Sequence, residues 1–165
     1  MSTLTQAQAD SLSERLNAAN EELERCAVNA VNICAHVGGM GVDEIERARH
    51  SARGPTQIAD YGKAPGLVEA AHGALWAAIV KVAEIMRELR PHSGIRGWHV
   101  RFQAAHGEAR NAVGLLRALE GVAEAVSTHH RRCHVTRASA HVYWLVDGAA
   151  GYGGWRAPLH HEPSF

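Results

Sequence analysis

Three stretches of this chain carry apolar residues at alternating steps of three and four, a pattern that permits little besides long helices packed along seams. In the first, the positions are Ala9, Leu12, Leu16, Ala19, Leu23, Cys26, Ala30, Ile33 and Val37. In the second they are Val68, Ala71, Leu75, Ala78, Val82, Ile85 and Leu89, and in the third Phe102, Ala105, Ala109, Ala112, Leu116, Leu119, Ala123 and Val126. A mean step of 3.5 residues puts each set on one face of a helix. The pattern predicts an all-α fold, an up-down bundle of three long heptad-patterned helices with a short connecting helix and an irregular C-terminal tail. With 165 residues the chain suits one domain. That domain is expected over 1–146, followed by a Gly/Trp/Pro-containing tail over 147–165.

Local signals set the expected boundaries. The first helix starts near Thr5 and stops at Gly38-Gly39-Met40-Gly41, where successive glycines favour non-helical backbone. Residues 42–50 read as a short helix, with Asp43, Glu44 and Glu46 complementing its positive N-terminal end. Residues 51–64 read as loop, and Pro65 suits the first turn of the second long helix. Pro91 ends that helix by disfavouring helical geometry at Arg90. A short connection then makes the second and third long helices antiparallel neighbours. Over 135–146, Thr136, Val142, Tyr143 and Val146 favour strand, but a lone strand leaves its backbone unpaired, so helix is expected.

Charge excludes some function classes. Seventeen Lys+Arg balance seventeen Asp+Glu, so the chain lacks the cationic excess on which general nucleic-acid binding rests. The acidic residues concentrate in the first 46 positions and the arginines later, which suggests an acidic first helix beside basic partners. The longest apolar stretch carries Glu69, His72, Lys81 and Glu84, an argument against a membrane span. A start without a basic, apolar leader places the chain in the cytoplasm, and three cysteines without framework spacing fit reduced thiols. Arginine outnumbers lysine 15 to 2 in an alanine-rich chain, the bias of a GC-rich bacterial genome.

Twelve histidines are the residues from which chemistry can be argued. In a down, up, down arrangement, His36, His72, His129, His130, Cys133 and His134 gather at one pole. His130 and His134 are spaced i, i+4, as are His129 and Cys133, and imidazole and thiolate are natural ligands for zinc or another transition metal. Glu69-x-x-His72 also has the spacing of carboxylate-bridged di-metal bundles, but the second candidate pair has Gln103 in place of a carboxylate. No phosphate loop or catalytic motif is present, so no other cofactor is expected. Tyr152 and Trp155 are candidate partner anchors, because such aromatics are enriched in interface hot spots. The sequence therefore points to a non-enzymatic interaction or adaptor protein that binds a protein partner or itself. The alternative is a metal- or cofactor-binding bundle with a His/Cys-rich pole.

Overall fold

A computed structural model of the chain describes residues 4–51, 53–55, 57–58, 63–92, 98–129, 133 and 135–151. These form five packed α-helices, with no strand among the described residues. They are α1 (Gln6–His36), α2 (Val42–Ser51), α3 (Ala64–Leu89), α4 (Trp98–His129) and α5 (Ser139–Ala150), with a 3₁₀ turn at Arg90–His92.

Helix ends follow local chemistry. Thr5 caps α1 reciprocally with Gln8: its hydroxyl accepts from the Gln8 N–H, and its own N–H donates to the Gln8 side chain. Gly39, at φ 62°, takes the left-handed conformation that stops α1. Pro65 lies in the first turn of α3 and Pro91 in the 3₁₀ turn after it. Of residues 135–146, expected as helix, 139–146 are helical and 135–138 are not, and α5 runs past Val146 to Ala150, so the irregular tail does not begin at 147. Gly151, at φ 89°, ends it against the Arg90 guanidinium, a cation favourably placed at the negative end of the helix.

Every residue of the second and third stripes is buried. In α1 the stripe holds from Leu16 to Ala30 and again at Val37, but at the turn between them Cys34 is fully buried while Ile33 is only partly so. The second half of α4 is buried beyond its stripe, at Ala118, Glu120 and Val122, because α1, α2, α3 and α5 all pack on α4. The segment between α2 and α3 approaches α4 so closely that a Cβ on Gly54 would lie 2.0 Å from the Gly121 carbonyl oxygen. Only glycine fits there.

One expectation needs correction and a second needs detail. Ala64–His92 is long and apolar enough, by length and composition, to cross a membrane despite its charged residues. In this fold, Val68, Leu75, Ile79, Val82, Ile85 and Met86 are buried in the core instead. Beside the acidic first helix, Lys81 of α3 acts on Glu22 and Arg101 of α4 reaches Ser13, but the one ion pair between α1 and another helix among the described residues has the opposite sense. Arg15 of α1 pairs with Glu88 of α3 at 2.8 Å, while Glu14, Glu21 and Glu24 are exposed.

Candidate functional site

Two buried His–carboxylate pairs organise the interior. His72 of α3 donates from Nε2 to Glu120 of α4 at 2.9 Å, with side chains 4% and 5% exposed. Glu120 also accepts from the backbone N–H groups of Ala138 and Ser139, at 3.2 and 3.1 Å, and from the Ser139 hydroxyl at 2.7 Å. Ala138 occupies the N-cap position of α5 and offers no side-chain cap. The carboxylate of another helix therefore satisfies the first free donors of α5 and its positive end. At the far end of α5, His106 of α4 meets Asp147 at 2.9 Å, with the Arg110 Nε at 3.6 Å from the same oxygen. A His–carboxylate pair thus fixes each end of α5.

This chemistry is positional. The Ser139 hydroxyl donates to the Glu120 carboxylate, so it too is held in place by the network. All four donors converge on one buried acceptor group, the arrangement expected of a fully satisfied polar network in a core.

Of the residues expected at one histidine pole, the side chains of His36, His72 and Cys133 are described. His72 is committed to Glu120, and His36 is exposed at the end of α1. Cys133 is buried against the start of α3, with Sγ 3.7 Å from the Pro65 carbonyl, and its N–H donates to the Ser127 hydroxyl. Among the described residues, no three His, Cys, Asp or Glu side chains are grouped to hold a metal. His130, His134, Tyr152 and Trp155 lie outside the described residues, as does the side chain of His129. Sequence reasoning missed Glu120 and Asp147. Their signal is a lone carboxylate in a small or apolar run, Ala118-Leu119-Glu120-Gly121-Val122 and Leu145-Val146-Asp147-Gly148-Ala149.

The three cysteines are buried free thiols. Burial pushes Cys34 up to about 12 and Cys133 up to about 11, against an ordinary value of 9.0, the nearby Arg49 opposing the shift at Cys34. A raised native value means the unfolded chain releases these protons first as pH rises. Stability from the neutral thiols is therefore complete below pH 9 and is lost as pH climbs through the native values. Between about pH 8 and pH 10.5, Cys34 should cost the fold about 2 kcal/mol. Urea midpoints at the two pH values test this: the wild type should lose more than a Cys34→Ala, Cys133→Ala double variant. Equal losses would refute it.

On the outer side of α3, Gly73, Trp76, Ala77, Val80, Lys81 and Glu84 line an open groove. Trp76 and Val80 are half-buried and the other four exposed. Trp76 is anchored from below, its ring edge-on to His72 with centroids 6.0 Å apart. The spacing is palindromic. Reflection about the midpoint between Ala78 and Ile79 exchanges Gly73 with Glu84, Trp76 with Lys81, and Ala77 with Val80. No protein-family model matches the chain, and no curated protein or solved structure matches it either.

Proposed function

We propose that this chain is a non-enzymatic helical-bundle interaction protein that self-associates through the outer face of α3. The observation that carries the reading is the self-complementary stripe from Gly73 to Glu84. Two copies of α3 crossing antiparallel about a two-fold axis would bring Trp76 of each over Lys81 of the other, a cation–π pairing. Ala77 would meet Val80, and Gly73 would leave room for the Glu84 side chain. Small residues at Gly73 and Ala77 let two helices approach closely.

The same reading takes the three long helices as a down, up, down bundle. It is supported by Arg15 near the start of α1 pairing with Glu88 near the end of α3. Arg101, early in α4, donates to Ser13, early in α1. His72, early in α3, meets Glu120, late in α4. This leaves one flank of α3 as the outer face available to a second copy.

Sedimentation equilibrium of the full chain should give twice the 17.8 kDa chain mass. Ala77→Arg places two like charges at the centre of the interface and should raise the dimer dissociation constant at least about tenfold, with the helix content unchanged. A wild type that stays monomeric at high concentration, or an Ala77→Arg variant that dimerises equally well, overturns the reading.

A further inference from the structure

α4 turns Gly107, Asn111 and Gly114 toward a cavity of about 380 Å³ that lies between α2, α4 and α5. A Cβ on Gly107 would meet nothing within 4 Å, so the floor of the cavity is open there. The walls are cationic. Arg49 comes from α2, Arg110 and Arg117 from α4, with His50 beside them, against the single carboxylate of Glu46.

These guanidinium groups are held by the fold but only partly neutralised. Arg110 donates to the Tyr143 hydroxyl at 3.0 Å and lies over its ring, 5.3 Å from the centroid. Asp147, the carboxylate nearest to it, is already engaged by His106. Arg117 donates to the Arg49 carbonyl at 2.8 Å, and no carboxylate lies within ion-pair reach of it among the described residues. Arg49 pairs at 3.5 Å with Glu46, which also faces His50, and its Nε is buried without a hydrogen-bond partner. Three guanidinium groups share one cavity with donors to spare.

We propose that this cavity binds a small phosphate monoester. A planar guanidinium presents parallel N–H donors that match phosphate oxygens, and charge-assisted bonds of this kind are the strong ones. The open surface at Gly107 admits the anion close to the α4 backbone, while Gly114 is covered by the Arg49 side chain, and the Asn111 amide and Tyr143 hydroxyl can bind the remainder of the ligand. The volume is in the range of small-molecule sites. A chain of zero net charge with three arginines gathered in a cavity suits a small ligand better than a polynucleotide backbone.

The test is calorimetric titration of the full chain, at constant ionic strength, with inorganic phosphate, glycerol phosphate and a single-stranded oligonucleotide. Glycerol phosphate should bind saturably at one site per chain, with inorganic phosphate competing for it. Arg117→Gln should weaken binding at least about tenfold. Arg87→Gln, an exposed arginine on α3, should leave it unchanged. Gly107→Leu supplies a second, structurally mild variant, since leucine favours helix over glycine and its Cβ enters open space. It should abolish binding while raising the melting temperature. The proposal is overturned if glycerol phosphate shows no saturable binding or if Arg117→Gln or Gly107→Leu binds like wild type. It is equally overturned if the oligonucleotide binds more tightly at equal phosphate concentration.

Discussion

Replacing Glu120 by alanine is expected to lower the unfolding free energy by about 3–5 kcal/mol, the usual cost of removing one partner from a buried charged network. Its four donors, on His72, Ala138 and Ser139, would lose their common acceptor. Glu120→Gln is the informative companion. The amide keeps one oxygen to accept from His72 and the two backbone N–H groups, and its NH₂ can donate to the Ser139 oxygen. It should cost only about 1–2 kcal/mol. Urea denaturation of both variants distinguishes the effects, provided the slope with denaturant stays constant. Equal costs for alanine and glutamine, or an alanine cost below about 1 kcal/mol, would show that α5 does not depend on this carboxylate.

Leu116→Asp should abolish the folded state altogether. Leu116 is fully buried in the α4 stripe, and a carboxylate there has no donor designed to receive it. Burying an unpaired charge costs more than the whole stability of an ordinary domain, so the chain unfolds instead. Leu116→Ala should cost roughly 2–5 kcal/mol through lost burial and the cavity it leaves. Circular dichroism reads both. A cooperatively folded Leu116→Asp protein that loses less than about 2 kcal/mol would contradict the buried seam.

The seams were legible because apolar periodicity is a local property. Leu75, Val82, Leu116 and Leu119 declare their faces from spacing alone, and all are buried. Cys34 takes the buried place at the one turn where the stripe names Ile33, and Val37 returns to the expected face. The polar interior was not legible in the same way. His72 and Glu120 are separated by 48 residues, and His106 and Asp147 by 41. Nothing local names such a partner, although a carboxylate within an apolar run announces that one must exist. The arginine cavity and the outer stripe of α3 depend on which helix faces stay uncovered, a property of the assembled bundle rather than of any segment. The metal expectation rested on histidines sharing a pole; of these, His72 bonds a carboxylate 48 residues away.

The capping of α5 by Glu120 also bears on the order in which the chain can be made. A ribosome delivers Glu120 18 residues before Ala138. While α3 and α4 emerge, the carboxylate has His72 as its only native donor among the four, and water must supply the others. Burial of that part of α4 is therefore unfavourable until Ala138 and Ser139 arrive with their N–H groups. A nascent chain arrested before Ser139 should keep the α3–α4 contact loose and accessible to proteases. α5 is thus the element whose arrival dries the interior, and its emergence from the ribosome becomes the committing event of folding.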